Sequence, residues 1–301
     1  MTIVPAAPAA PRPEAERPFY AILLVLLAVA LFSIMDALSK LLAEHLDPVE
    51  VVWGRYLAIL MLLTPPLLRH PRLFFSRRPA LQLVRGVGVM GAAVLFIAGL
   101  ARMPLADASA IGFTSPLLVT VLSVPLLGEH VGLRRWSAVA LGFAGVLVVL
   151  RPGSGAVGPV ALLPLSSAAC WALSIVVTRR MGAADRPLTT LFYSTVIGLA
   201  LSSLPLPYIW QSASPVDWGI MATMALLSAT GQYLLIAGLS RGGASLLASF
   251  TYSQMIWSTL LGYVVFHAVP TVWTWSGAAL IVASGVYVAH RERIRARDAR
   301  R

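Results

Sequence analysis

The sequence has few charged residues. Asp, Glu, Lys and Arg make up only 12% of its 301 residues, whereas 58% are hydrophobic. A soluble domain carries about twice that charged fraction. A soluble fold of this length would also need more polar surface than these residues supply. Together with a mean hydropathy of +0.82, the composition indicates a protein whose solvent is the lipid bilayer.

Lysine, histidine and cysteine are also scarce, which excludes several kinds of site. Lys40 is the only lysine and follows Ser39, so the sequence has no Gly-x-x-x-x-Gly-Lys phosphate loop. The five histidines lack metal-ligand spacing, and the single Cys170 excludes an intrachain disulfide. We expect no enzyme activity, no cofactor and no metal. Any transport would be driven by a gradient and not directly by ATP.

The net charge of +11 does not predict a nucleic-acid partner. The basic residues lie in short gaps between apolar runs and in an arginine-rich tail, residues 291–301, which we expect to be cytoplasmic. Residues 1–17 are rich in Pro and Ala and lack a signal-peptide cleavage site. They predict a disordered cytoplasmic tail.

Ten apolar runs come close to the roughly 20 residues that a membrane-spanning helix needs. With the N-terminus inside, eighteen basic residues fall in inner segments and only Arg102 and Arg151 in outer loops. Because Lys and Arg accumulate in cytoplasmic loops, this predicts a multi-pass bacterial inner-membrane protein with both termini cytoplasmic. The runs cover residues 19–43, 48–68, 80–101, 104–127, 134–151, 158–180, 187–209, 217–239, 243–266 and 271–290.

The two halves of the chain form an internal repeat at an offset of 139 residues. This offset places Leu95–Arg102 on Leu234–Arg241 without a gap and pairs Lys40 with Arg179. The repeats span 18–152 and 157–290. Each contains five runs, an odd number, so the second must enter the membrane in the opposite sense. The predicted fold is an all-α membrane protein of two inverted five-helix repeats, an architecture that places a transporter's substrate near the midplane.

Three ionisable residues within the apolar runs are candidates for gating or coupling. Asp36 and Lys40 lie one turn apart on the first helix, and Arg55 enters from the second helix. An intramembrane charge is costly and therefore indicates function. A structural ion-pair cluster at the outer end of the helices is the alternative, since Lys40 can extend to the interface. Arg85, near the start of the third run, is expected to be an anchor at the inner interface.

Polar and aromatic residues on the sixth, eighth and ninth helices suggest a binding site. Ser167, Trp171, Ser174 and Thr178 follow helical spacing, so they share one face. Such side chains can hydrogen-bond a polar ligand or stack on a ring. The alternative is that they join helices or mark the interface. The candidate substrate-binding residues are Trp171, Ser174, Gln232, Tyr252, Gln254 and Trp257.

Small residues on the fifth and tenth helices predict close packing. Ala138 and Gly142 lie on the fifth helix, and Ala279 and Ala283 on the tenth. The two helices correspond under the repeat, and they either scaffold the core or form the face of a homodimer.

These residues resemble the EamA family of the drug/metabolite transporter superfamily. The resemblance covers about residues 19–290. It rests on Phe32–Lys40 with Arg55, on Ala106–Ala108 through Pro116 to Glu129, on Arg135–Trp136, and on Phe250–Gln254 through Trp257 to Phe266. It implies ten helices in two inverted repeats around a central cavity lined mainly by helices one, three, four, six, eight and nine. The usual glutamate after the ninth helix is replaced here by His267 and Ala268.

The resemblance also implies a small, polar or zwitterionic metabolite as substrate. We expect export of an amino acid or an amino-acid-derived metabolite, including an opine-type metallophore, with proton coupling through Asp36 as one option and simple exchange as the other. An uptake carrier for riboflavin, S-adenosylmethionine or a similar metabolite is the alternative within transport. A non-transporting membrane enzyme or receptor is the alternative outside it.

Overall fold

A computed structural model of the chain describes residues 18–69, 74–129, 131–151, 158–182, 185–241 and 250–298. This part of the chain is almost entirely helical and contains no strand. The predicted N-terminal tail lies outside it, whereas most of the predicted basic tail continues the last helix. The helices are α1 (Pro18–Leu42), α2 (Pro48–Arg69), α3 (Pro79–Leu100), α4 (Leu105–Gly112), α5 (Ser115–Leu127), α6 (Leu133–Leu150), α7 (Leu162–Met181), α8 (Pro187–Ser203), α9 (Leu206–Ile209), α10 (Pro215–Arg241), α11 (Gln254–Phe266) and α12 (Val272–Asp298).

Prolines and left-handed residues set many of the helix boundaries. Five helices, α1, α2, α3, α8 and α10, begin at a proline, whose missing N–H is not needed in the first turn. Gly128 ends α5 at φ 70°, and His267 ends α11 at φ 51°. These two caps are 139 residues apart, so the repeat extends to the backbone conformation that ends each helix.

All ten predicted runs overlap helices of the structure, but the helices differ in length and polarity. Four spans are long and apolar enough to cross a membrane: Tyr20–Leu42, Pro79–Leu100, Leu105–Leu127 and Pro159–Met181. Shorter apolar helices occur at Trp136–Leu150, Pro187–Ser203, Gln254–Phe266 and Val272–Tyr287. The count of ten transmembrane helices stays a prediction.

The packing of the helices follows the repeat. Helix α1 packs along α10, and its repeat-related helix α7 packs along α3, the counterpart of α10. Helix α2 contacts its own counterpart α8, and α6 contacts its own counterpart α12. Exchanging the two halves therefore maps these contacts onto one another, as a pseudo-two-fold axis requires.

The contact between α6 and α12 uses different small residues from those predicted on α12. A Cβ at Gly145 would lie 2.8 Å from the carbonyl oxygen of Gly277, so the two backbones touch. Ala138 and Gly142 are buried on α6, whereas Ala279 and Ala283 on α12 are exposed. Gly277 takes the place expected for them in this scaffold, and the homodimer face stays a prediction.

The two ends of the helix bundle are named here by repeat-related residues. The C-termini of α1, α3 and α11 lie at the Lys40 end. The C-terminus of α7 and the N-termini of α3 and α8 lie at the Arg179 end. The largest described apolar cluster includes the start of α4, where Leu105 is fully buried beside Leu100 and Met103.

Candidate functional site

Two helix breaks lie at equivalent positions of the two repeats. The first, at Phe113 and Thr114, separates α4 from α5. Pro116 follows this break and has no N–H to donate to the carbonyl of Gly112, so the helical ladder cannot continue unchanged. The second break, at Tyr252 and Ser253, precedes α11. We call these two turns the paired breaks, since 139 residues separate them.

The paired breaks meet each other through aromatic rings. The ring centroids of Phe113 and Tyr252 are 5.3 Å apart, with the ring planes tilted by 47°. Because these residues correspond under the repeat, their contact marks the pseudo-two-fold axis. Tyr252 also packs on α12, where a Cβ at Gly285 would lie 1.8 Å from the tyrosine hydroxyl oxygen. The backbone keeps right-handed helical angles at Phe113, Thr114 and Ser253, so the breaks are kinks at the repeat interface and not unwound segments. In secondary transporters the substrate site lies near such an interface between repeats.

A carboxylate on α1 is tied to the second break. Gln254 Nε2 donates a hydrogen bond of 3.2 Å to Asp36 Oδ2, and Ser33 Oγ lies 3.4 Å from the carbonyl oxygen of Gln254. The side chain of Asp36 is 7% exposed. Two of the predicted residues, Asp36 and Gln254, are thus brought into direct contact across the repeats.

Asp36 and Arg55 interact electrostatically without forming an ion pair. The positive charge of Arg55 acts on the Asp36 carboxylate. Within the described residues, the single contact shorter than 4.0 Å between a basic and an acidic side chain joins His45 Nε2 to Asp217 Oδ1, so neither Lys40 nor Arg55 directly neutralises Asp36. The predicted candidates therefore do not form a closed ion-pair cluster. Among the described residues, Asp36 thus lies at the second break without an ion-pair partner within 4.0 Å.

Lys40 has a different environment from Asp36, although only one helical turn separates them. Its Nζ donates hydrogen bonds to the carbonyl oxygens of Leu100 and Met103, the latter at 2.9 Å, and lies 5.3 Å from the ring centroid of Phe266. These carbonyls belong to the C-terminal end of α3 and the turn after it, where helical acceptors lack intrahelical partners. Lys40 therefore joins the ends of α1, α3 and α11.

The polar face of α7 is divided between two environments. Ser167 Oγ donates to the carbonyl oxygen of Ala92 at 2.7 Å, and Ser174 Oγ to that of Cys170 at 2.9 Å. Ser174 is buried, and a Cβ at Gly88 of α3 would lie 2.4 Å from its Oγ. These serines therefore support packing against α3. Trp171, on the same predicted face, is 39% exposed.

The other predicted binding residues lie around or beyond the second break. Tyr252 and Gln254 belong to the contacts at the paired breaks. Trp257, one turn into α11, is 37% exposed, and Gln232 on α10 is also exposed. The structure brings Tyr252, Gln254 and Asp36 together. Direct ligand contact by any of the six candidates stays a prediction.

Sequence reasoning missed several polar contacts. Arg85 is not a simple interface anchor: it donates to Thr178 Oγ1 at 2.9 Å and to Ser194 Oγ, joining α3 to α7 and α8. Thr274 Oγ1 donates to buried Asp107 at 2.6 Å. The sequence also contains a signal for the ring contact of Phe113, because the repeat offset pairs this residue with Tyr252. The polar contacts of Arg85 and Asp107 have no comparable signal.

A polar cavity of about 390 Å³ opens at the Lys40 end. It lies between the turn that joins α1 to α2 and the turn that follows α3. Its polar lining residues include Glu44, His45, Asp47 and Arg102, which lie at the end of the bundle and not at the paired breaks. The cavity is therefore separate from the paired breaks.

Comparison with known proteins identifies the family. The family model of the EamA-like transporters matches residues 19–151 and 158–289, one match for each repeat. The chain belongs to the EamA-like transporter family. It is therefore a membrane-embedded member of a family of transporters and not an enzyme.

Relatives of this EamA-like protein include both importers and exporters. A riboflavin transporter from Rhizobium johnstonii is 30% identical over 67% of each chain. An S-adenosylmethionine uptake transporter from Rickettsia prowazekii is 25% identical over 89% of this chain and 92% of the relative. A pseudopaline exporter from Pseudomonas aeruginosa is 29% identical over 90% of this chain and 96% of the relative.

A solved crystal structure has the same fold as this EamA-like protein. It superposes with a TM-score of 0.62 and 23% sequence identity, covering 89% of this chain and 95% of the other. The helical arrangement is therefore shared over nearly the whole of both chains.

Proposed function

We propose that this protein is a secondary carrier of the bacterial inner membrane that exports an amino acid or an amino-acid-derived metabolite. The observation that carries the proposal is the meeting of the paired breaks beside Asp36 and Gln254. Kinks at equivalent positions of both repeats meet at the pseudo-two-fold axis, and inverted-repeat transporters bind their substrates at the interface between the repeats.

The charges near the paired breaks favour a zwitterionic substrate. Asp36 supplies an acceptor for an ammonium group, and Arg55 supplies donors for a carboxylate. Because the two side chains act on each other without direct contact, a zwitterion between them satisfies both without a net change in charge. The rings of Phe113 and Tyr252 add an apolar contact for the rest of the molecule.

The proposed topology has ten transmembrane helices with both termini in the cytoplasm. The Lys40 end then faces the periplasm, and the Arg179 end, with its arginine-rich turns, faces the cytoplasm. Substrate moves down its own gradient or is coupled to a proton, with Asp36 as the coupling carboxylate. The lipid bilayer covers the exposed apolar faces.

Uptake of a larger aromatic metabolite is the second candidate. The relatives that transport riboflavin and S-adenosylmethionine favour it, and exposed Trp171 and Trp257 offer rings on which a flavin or adenine can stack.

Counterflow of radiolabelled solutes in ATP-free proteoliposomes distinguishes the candidates. We expect exchange of an amino acid or an opine and no exchange of riboflavin or S-adenosylmethionine. Exchange of only the latter two replaces the export proposal with the uptake candidate. An absolute requirement for ATP contradicts both.

A further inference from the structure

The contact made by Lys40 joins three helices at one end of the helix bundle. Its ammonium group lies at the C-terminus of α3, where unpaired carbonyls and the helix dipole both favour a cation. Phe266, at the C-terminus of α11, covers the same group. Leu100 and Met103, which supply the carbonyls, are buried. One side chain thus fastens α1 to two other helices where the substrate would have to pass.

The repeat places an equivalent cation at the opposite end. The offset of 139 residues carries Lys40 to Arg179, in the last turn of α7, and Leu100 to Leu239, near the C-terminus of α10. In contrast to the half-buried Lys40, Arg179 is exposed. The two repeats therefore place equivalent cations in different environments, one half-buried and the other exposed.

The helix packing shows the same asymmetry independently of these side chains. Helix α1 packs against α3, yet within the described part of the chain α7 and α10 make no comparable contact with each other. Likewise α2 packs against α3, whereas the repeat-related pair α8 and α10 lacks a comparable contact among those residues. Among the described residues, α10 therefore packs less closely on α7 and α8 than α3 packs on α1 and α2.

We use the word latch for a cation that binds the C-terminal carbonyls of a neighbouring helix, as Lys40 binds those at the end of α3. From this asymmetry we infer that Arg179 is a second latch, which forms when the Lys40 latch is released. When α10 moves against α7, the guanidinium of Arg179 binds the carbonyls at the C-terminal end of α10, as Lys40 now binds those of α3. Formation of one latch accompanies release of the other, so a single pseudo-symmetric exchange opens one end and closes the opposite end. The inference rests on the proposed carrier function, because alternating access gives the exchange its purpose.

Arginine suits this position because it presents five N–H donors and remains charged. Lysine can supply the same charge with three donors. The charge-conserving variant Arg179→Lys should therefore retain most of the latch, whereas the neutral variant Arg179→Gln should lose it.

Spin-label distances between α7 and α10 test the latch without any substrate. Labels are placed at positions 180 and 233 in full-length Cys170→Ala protein in lipid nanodiscs. We expect two distance populations, and Arg179→Gln should reduce the ratio of the shorter to the longer at least about fivefold, within the usual range of conformational coupling. Arg179→Lys should restore most of that ratio. Arg186→Gln, which removes another exposed arginine at the same end, is the matched control and should change it less than about twofold.

Lys40→Gln supplies the reciprocal measurement. Loss of the Lys40 contact should increase the population with the shorter α7–α10 distance. This effect is opposite to that of Arg179→Gln. Equal effects of Arg179→Gln and Arg186→Gln, or distances unchanged by either Arg179→Gln or Lys40→Gln, would overturn the inference. The spin-label measurement does not depend on transport. If no metabolite is exchanged in counterflow, the proposed function is contradicted, but the distance ratio still tests the latch.

Discussion

Helices α1 and α7 occupy equivalent positions in the two repeats but use their polar residues differently. On α1, Asp36 contacts Gln254 at the second break. The equivalent residue on α7 is Ile175, and the polar groups of α7 instead bind α3 through Ser167 and Ser174. The comparison shows that a duplicated scaffold can keep its helix packing while only one copy carries the central charge.

Replacing that charge should have the largest effect on transport. Asp36→Asn removes the carboxylate while preserving size, so the proposed ammonium site and any proton coupling are lost together. We expect counterflow to fall at least about tenfold, equivalent to about 1.4 kcal/mol of the transport barrier. Asp185→Asn, a carboxylate change in the turn after α7, is the control and should transport normally. Normal counterflow by Asp36→Asn would return Asp36 to a purely structural role.

The contact between Tyr252 and α12 should be the next most sensitive feature. A Cβ at residue 285 would overlap the Tyr252 hydroxyl, so Gly285→Ala must displace the ring. We expect counterflow to fall severalfold and the free energy of unfolding to drop by about 1 to 3 kcal/mol. Gly219→Ala adds the same methyl group where no neighbouring atom lies within 4 Å, and should change neither property.

The polar face of α7 should affect stability more than transport. Ser174→Ala removes hydrogen bonds to the carbonyls of Cys170 and Arg85, so we expect a loss of about 1 kcal/mol in the free energy of unfolding. Counterflow per folded molecule should be almost unchanged. Trp171→Ala is the comparison variant, because its exposed ring is still a candidate ligand contact. If Ser174→Ala stops transport without loss of stability, the serine belongs to the binding site as the sequence predicted.

The smallest expected effect is on the pH dependence of stability at the Arg179 end. Desolvation by itself raises the pKa of Asp185, but hydrogen bonds from Ser76, the Arg77 N–H and Gln82 outweigh it and place the pKa below its ordinary value of 3.8. A depressed pKa stabilises the folded state above the ordinary pKa, and this contribution is lost as pH falls through the lower, folded-state pKa.

Thermal unfolding in detergent between about pH 6 and pH 2 measures this contribution. Asp185→Asn should lower the unfolding temperature slightly at pH 6 and flatten its decline with acid. A variant with the same pH profile as the parent protein would show that these hydrogen bonds do not stabilise the fold.

The repeat and the helical character could be predicted because they depend on periodicity and apolar length. The offset alone relates the helix ends at Gly128 and His267. The contact partners were harder to foresee. Ser167 and Ser174 share a face with Trp171 by spacing, yet the glycines of α3 allow that helix to approach and cover the serines. Helix spacing defines a face but not what lies opposite it.

The charges show the same limit at the candidate site. Asp36 and Lys40 were expected to act together because they lie one turn apart. Lys40 instead extends to the carbonyls at the end of α3, which are unpaired only because α3 ends at Leu100. The Lys40 contact depends on the residue at which α3 ends. The spacing of residues on α1 does not predict that residue. The contact of Asp36 with Gln254 likewise joins residues 218 positions apart.

Substrate analogues test the central claim, recognition of a zwitterion between Asp36 and Arg55, most directly. Counterflow of the best amino-acid substrate is inhibited with the unlabelled amino acid, its methyl ester, which lacks the carboxylate, and its N-acetyl derivative, which lacks the ammonium group. The account predicts that the free amino acid inhibits at least about tenfold better than either derivative. Asp36→Asn should lose the preference over the N-acetyl derivative, and Arg55→Gln the preference over the ester. Equal inhibition by all three compounds, or preferences that survive in both variants, would contradict it.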